Sequence, residues 1–241
     1  MTQLLLLHGA LGTKEQFDEL SAELSKYFKV HRLDFEGHGK KGATDSAFRI
    51  PYFAENVLGY LDEHNINKAN IFGYSMGGYV ALSMALDNPE RVNKIATLGT
   101  VLQWDEDTAR RECRLLHPDK IKEKVPNFAQ MLDSRHPDGW EWVVIQTRSM
   151  LEQLGKNPTI KSGDWRYLNH PVRLHIGDRD ETAKLNETTE TYKKLANAGL
   201  MVLPNTGHPI EEVNQELLSV SLRDFFKEIQ KPGQYDRAQK N

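Results

Sequence analysis

The chain has 241 residues and a formal net charge of −3, with acidic and basic residues mixed along its length. No basic stripe runs through it, which argues against nucleic acid as a partner. Cys113 is the single cysteine, which excludes an intramolecular disulfide and a cysteine-based metal site and suits a reducing, cytoplasmic setting.

Residues 4–7 are consecutive leucines. The first eight residues lack a basic n-region and their apolar run is too short for a signal peptide, so they read as a strand buried on both faces. Nowhere does the chain reach the ~20 apolar residues needed to cross a bilayer, so no membrane partner is expected. The turn-rich stretch His8-Gly9-Ala10-Leu11-Gly12 follows. A helix comes next, its apolar face carried by Phe17, Leu20, Leu24 and Tyr27. Residues 30–33 read as a short strand, ending in the glycine-rich loop Asp34-Phe35-Glu36-Gly37-His38-Gly39. Phe53, Val57, Tyr60 and Leu61 mark another helix, with Pro51 tolerated in its first turn.

The next apolar run breaks at Gly73, and a helix-like run over residues 76–87 ends at Asn88-Pro89. Gly73-Tyr74-Ser75-Met76-Gly77 is therefore a G-x-S-x-G pattern between a strand and a helix, the context of a nucleophile elbow. Such a turn projects the Ser75 hydroxyl into a cleft, and Gly73 and Gly77 stand where a Cβ would strike neighbouring backbone. The helix points its amide-rich N-terminus, beginning with Met76, at the place where an oxyanion would form.

Residues 92–98 form a further strand closed by Gly99. Strands alternating with helices imply a mostly parallel sheet covered on both faces. From 101 to 168 the alternation stops, and only helix-like runs remain, among them Cys113, Leu115 and Leu116, then Phe128, Met131 and Leu132, then Trp140 to Leu154. This stretch reads as a helical lid inserted into a core made of residues 1–100 and 169–241. It holds all four tryptophans, Trp104, Trp140, Trp142 and Trp165. A lid faces the cleft it covers, so part of this cluster should line an apolar pocket while the rest fixes the lid to the sheet. Leu11, Tyr74, Tyr79, Trp104 and Trp140 are the expected pocket residues.

The alternation then resumes. Residues 172–176 form a strand ending at Gly177-Asp178-Arg179-Asp180, and a helix spans about 182–198 with Gly199 as its C-terminal cap. Residues 200–203 form the last strand, followed by Pro204-Asn205-Thr206-Gly207-His208-Pro209. A final helix carries Val213, Leu217, Val220, Phe225 and Ile229, and the polar tail from Lys231 should be loose. Ser75, Asp180 and His208 thus each follow the C-terminal end of a strand. In an open parallel sheet those ends share one edge, which makes residues far apart in sequence neighbours in space.

The order Ser, Asp, His resembles that of the α/β-hydrolases. The similarity covers nearly the whole chain through His8-Gly9, Asp34-x-x-Gly37-His38-Gly39, Gly73-Tyr74-Ser75-Met76-Gly77-Gly78, Gly177-x-x-Asp180 and Gly207-His208. Glu36 departs from the family's common proline, and the usual N-terminal antiparallel strand pair is not expected here, so the resemblance implies about six strands, all parallel, with the strand at 30–33 on an edge. The resemblance implies a serine hydrolase of small or medium carboxylic esters, without metal or other cofactor. Ser75 would attack, His208 would relay the proton, Asp180 would orient the imidazole, and the Ala10 and Met76 N–H groups would hold the oxyanion. Spacing from Gly177 favours Asp180 over Asp178. His8 and His38 match structural positions of the family, and His170 and His175 read as packing residues. Arg110, Arg111 and Arg114 read as a solvated face that could also attract an acidic substrate. The sequence is similar too to a menaquinone-pathway lyase and to C–C bond hydrolases and thioesterases that use the same triad. The lyase typically carries arginine where Tyr79 stands. Haloalkane dehalogenases use an aspartate nucleophile, against which Ser75 argues, and a non-catalytic receptor on this fold would lack a triad member, whereas none is missing here. Oligomeric state is not legible in the sequence.

Overall fold

The computed structural model describes residues 1–227. Six parallel strands form one sheet in the order β2-β1-β3-β4-β5-β6. The central strands are β1 (Gln3–Leu7), β3 (Ala69–Tyr74), β4 (Val92–Leu98) and β5 (Val172–Gly177). The edges are β2 (Lys29–Leu33), as expected, and β6 (Ala198–Leu203).

The leucine run of β1 shows why both faces must be covered. Side chains alternate across a strand, so Leu4 and Leu6 face one layer and Leu5 and Leu7 the other. Leu4 and Leu6 pack with Leu20 and Leu24 of α1 (Asp18–Leu24) and with Leu218, Leu222 and Phe226 of α9 (Gln215–Phe226). Leu5 and Leu7 pack with Phe53 and Val57 of α2 (Ile50–Glu63) and Val80 of α3 (Met76–Asp87). All these leucines of β1 are fully buried, each worth about 1.5–3 kcal/mol of transfer free energy.

Between β4 and β5 the chain forms α4 (Glu106–Cys113), α5 (Pro118–Lys124), α6 (Pro126–Arg135) and α7 (Trp140–Lys156), with no strand among them. Then α8 (Leu185–Lys194) packs on β5 and β6.

Three local expectations are corrected. Gly199 does not cap a helix: it lies inside β6, paired with Arg173 of β5. The helix before it ends early because its inward positions are Thr188 and Thr191, a weak apolar stripe, and Leu195 is already extended. Tyr27 is 43% exposed and lies beyond α1, where its hydroxyl accepts a hydrogen bond from Arg223. Val213 precedes α9, and Val220 is turned to solvent. Ile229 and the tail from Lys231 lie outside the described residues.

Buried His175 ties the sheet to α9. Its Nδ1–H donates to the Thr97 carbonyl at 2.9 Å, and its Nε2 accepts from the Ser221 hydroxyl at 2.8 Å. Burial lowers its pKa to about 4. An unfolded chain would protonate this imidazole near pH 6.5, so its contribution to stability is complete above that pH and is lost progressively towards pH 4. The loss from this group should be about 3 kcal/mol, and His175→Gln should flatten the stability decline measured by urea unfolding between those pH values. An unchanged slope would contradict the assignment.

Candidate active site

The turn after β3 holds Ser75 at φ 50° and ψ −118°, a conformation that costs a non-glycine residue on the order of 1–3 kcal/mol. Two hydrogen bonds hold it there. The Ser75 N–H donates to the Leu98 carbonyl at 2.8 Å, and the Thr100 hydroxyl donates to the Ser75 carbonyl at 3.0 Å. The helix that leaves this turn runs hard against β1: a Cβ on Gly77 would lie 2.3 Å from the Leu7 carbonyl oxygen. Because the obstacle is backbone of the central strand, Gly77→Ala should cost at least about 3 kcal/mol in chemical denaturation, and a shift below about 1 kcal/mol would show that the turn can relax.

Ser75, His208 and Asp180 converge at the C-terminal ends of β3, β6 and β5. His208 Nε2 stands 3.2 Å from Ser75 Oγ, and His208 Nδ1 stands 2.9 and 3.0 Å from the two oxygens of Asp180. The Asp180 side chain is 1% exposed and that of His208 22%. Oδ1 of Asp180 also accepts from the N–H groups of Thr182 and Ala183, each at 2.9 Å, which fixes the carboxylate. Only the tautomer with a proton on Nδ1 satisfies Asp180, and it leaves the Nε2 lone pair to accept from the Ser75 hydroxyl. Such an array can draw a proton from the hydroxyl as its oxygen attacks an electrophile.

Contacts that sequence reasoning did not foresee hold this array in place. Tyr74 donates its hydroxyl to the His208 carbonyl at 3.1 Å, and burial raises its pKa, so the phenol stays neutral. Gly99, at φ 59°, underlies the pair: a Cβ there would meet Asp180 Oδ2 at 3.0 Å and His208 Nδ1 at 3.2 Å. The loop after β1 is braced by His136, whose Nε2–H donates to the Leu11 carbonyl at 3.1 Å while its Nδ1 accepts from the Gly39 N–H at 2.9 Å. Leu11 itself has φ 58°, so the brace restrains a strained residue. In that loop the Ala10 N–H has no acceptor among the described residues, and Met76 opens α3, so its N–H has no intrahelical acceptor.

The competing residues lie elsewhere. Asp178 is exposed, with its carboxylate accepting the Thr206 N–H at 3.0 Å, which together with the Asn205 N–H holds its pKa low. His8 is buried, donates from Nδ1 to the Gly9 carbonyl and accepts the Phe35 N–H at Nε2; burial lowers its pKa to about 4. His38 is buried and stacks on Phe48 at 4.8 Å. His170 meets the Pro89 carbonyl at 2.9 Å. Among the described residues, no three His, Cys, Asp or Glu side chains cluster as metal ligands would.

A cavity of about 760 Å³ holds Ser75 and His208 in its wall. Leu11, Tyr74, Tyr79 and Trp104 line it. Leu116, Phe128, Met131 and Met150 close it from the inserted helices. Trp140 does not reach it and is corrected: its side chain is 4% exposed, packed in the core, with Lys122 Nζ 5.4 Å above its ring. Trp140 starts α7, whereas the cavity meets that helix two turns later, at Thr147, Met150, Leu151 and Leu154. Trp142 packs on Phe48 and Trp165 is buried, so Trp104 is the tryptophan of the lining. Near the array the lining also carries Arg135, paired with Glu211 at 2.5 Å, and Gln16, which donates to the same carboxylate at 3.0 Å.

Known proteins share this fold. The chain is 23% identical over 245 residues to the uncharacterized hydrolase YugF of Bacillus subtilis (strain 168), covering 93% of this chain and 89% of that protein. A second protein of that organism, provisionally named 2-succinyl-6-hydroxy-2,4-cyclohexadiene-1-carboxylate synthase, is 24% identical over 92% of this chain and 89% of its own. For several other curated relatives the match takes in only 26–63% of their length. Among solved structures, the enol-lactonase from Burkholderia xenovorans LB400 superposes with a TM-score of 0.77 at 20% identity, covering 94% of this chain and 92% of that one. The family model described as alpha/beta hydrolase fold matches residues 2–214, and the chain belongs to that family.

Proposed function

We propose that the protein is a serine hydrolase of small or medium carboxylic esters, working through an acyl-enzyme. The observation that carries this reading is the continuous hydrogen-bonded array from Ser75 through His208 to buried Asp180, in the wall of a largely apolar cavity. Ser75 Oγ bonds to the ester carbonyl carbon as His208 Nε2 takes its proton. The C–O bond then breaks, and the imidazolium gives that proton to the departing alcohol. Water, deprotonated by the same imidazole, releases the acid and restores Ser75. Asp180 keeps the Nδ1 proton in place and stabilises the imidazolium. The Ala10 and Met76 N–H groups receive the oxyanion, a contribution of about 10²–10³ per donor in turnover. Residues 101–168 serve as a lid over a core of 1–100 and 169–241, and its apolar side chains favour an apolar group on the substrate.

A second reading is elimination by the same array, as in the lyases that the sequence resembles, and the relative named as a synthase favours it. Tyr79 weighs against it, because a phenol, here accepting the Ile160 N–H at 3.0 Å, supplies no cation at the place where the lyase carries arginine. A panel of esters of graded acyl length, assayed beside a fluorophosphonate probe, tests the proposal. Ester hydrolysis with label on Ser75 supports it. Label without hydrolysis of any ester, and a product formed without consumption of water, would favour the lyase.

A further inference from the structure

A second cleft, of about 490 Å³, opens between α4, the start of α5 and α7. Five cations line it, Arg110, Arg114, Lys120, Arg148 and Lys156, against two acids, Glu106 and Glu152. This leaves an excess of three positive charges at one place in a chain whose formal net charge is −3. Local ion pairing accounts for part of it. Arg110 pairs with Asp107 and Arg148 with Glu152, each at 2.8 Å. Arg114, Lys120 and Lys156 have no acidic partner among the described residues. His117, in the same cleft, accepts from Arg148 at Nε2, and desolvation, with the charges of Arg148 and Lys120, lowers its pKa.

The cleft adjoins the cavity that holds Ser75, because Lys120 lines both. Leu115 and Val125 also line the cavity yet are 61% and 48% exposed, which marks this side as its opening to solvent. A molecule seated at Ser75 and emerging past Leu115 and Lys120 therefore meets unpaired cations. Three such cations in a cleft of this size exceed what one carboxylate would engage and match a phosphate or pyrophosphate.

We propose that this cleft binds the phosphate or pyrophosphate of a substrate whose acyl end occupies the cavity, so that the leaving group is a phosphorylated alcohol or thiol. The proposal rests on the serine-hydrolase reading for its chemistry: Ser75 Oγ bonds to the acyl carbon, the C–O or C–S bond breaks, and the phosphorylated group departs with the proton from His208. Water completes the hydrolysis.

The test compares hexanoyl-coenzyme A with hexanoyl-pantetheine, the same thioester without phosphate. At low salt kcat/KM should favour the coenzyme A thioester at least about tenfold, and about 1 M salt should remove most of that preference. The double variant Arg114→Gln/Lys156→Gln should raise KM for the coenzyme A thioester about fivefold and change the pantetheine thioester less than about twofold. A third arm, the hexanoyl thioester on a phosphopantetheine-bearing carrier protein, tells a carrier-bound phosphate from a free nucleotide. Preference for either over pantetheine supports the cleft, and equal kcat/KM for all three overturns it. Failure of the hydrolase reading is seen separately, as absence of fluorophosphonate label on Ser75. In that event calorimetric titration with inorganic pyrophosphate decides alone: saturable binding lost in the double variant supports the cleft, and no binding overturns it.

Discussion

Ser75→Ala should lower ester turnover about 10⁵–10⁶-fold while shifting the thermal midpoint by no more than about 4 °C. The two halves of this expectation have different causes. Turnover depends on an oxygen that no other group replaces, since the neighbouring hydroxyls of Tyr74 and, after β4, Thr100 are committed to the carbonyls of His208 and Ser75. Stability depends on the backbone of the turn, which survives the change: the Ser75 N–H to Leu98 bond and the Thr100 bond to the Ser75 carbonyl both involve main-chain atoms of residue 75. What the folded state loses is the hydrogen bond to His208 Nε2 at 3.2 Å, worth about 1 kcal/mol. The measurement is kcat on the best ester of the panel, beside a thermal melt and fluorophosphonate labelling. A variant that retained more than about 1% of the rate, or still took up label, would remove Ser75 from the role of nucleophile.

The parts of the fold that the sequence makes legible are those whose signal is local. A run such as Leu4 to Leu7 has few ways to be buried other than as a central parallel strand, and residues 76–87 are bounded by Gly73 before and Asn88-Pro89 after, as the structure has them. Convergence of Ser75, Asp180 and His208 could be anticipated for a topological reason, because parallel strands deliver all their following loops to one edge. Elements that pack on only one side were harder to bound. At the sheet edge, most of β6 is only partly buried, so its Ala198 and Gly199 carry little apolar pattern and were expected to belong to a helix end. The cavity lining was the least legible. Which turn of α7 meets the cavity is decided by how the inserted helices sit against one another, and that depends on side chains far apart in sequence. Periodicity marks one apolar face from Trp140 to Leu154 without saying that its first turn goes to the core and its later turns to the cavity. Likewise Tyr74 and Gly99 support His208 through contacts 134 and 109 residues distant, and no motif announces them.

Asp180→Asn should lower kcat about 10⁴-fold, whereas Asp178→Asn should change it less than about threefold. Both residues follow β5 and differ by two positions, so the contrast isolates geometry from composition. Asp180 is enclosed, with Oδ1 accepting from Thr182 and Ala183 and both oxygens within 3.0 Å of His208 Nδ1. In the asparagine variant the two backbone N–H groups still need an acceptor, so the amide oxygen stays with them and the NH₂ turns towards His208. An amine donor facing Nδ1 favours the tautomer with its proton on Nε2, and that nitrogen then cannot accept the Ser75 proton. The variant also loses the negative charge that stabilises the imidazolium as Ser75 attacks. Asp178, by contrast, is exposed and holds only the turn at Asn205 and Thr206, whose N–H groups an asparagine oxygen can still meet. Steady-state kcat for both variants, with circular dichroism to verify folding, decides the matter. Equal losses would mean that the carboxylates act through the fold rather than through His208, and a larger loss at Asp178 would transfer the orienting role to it.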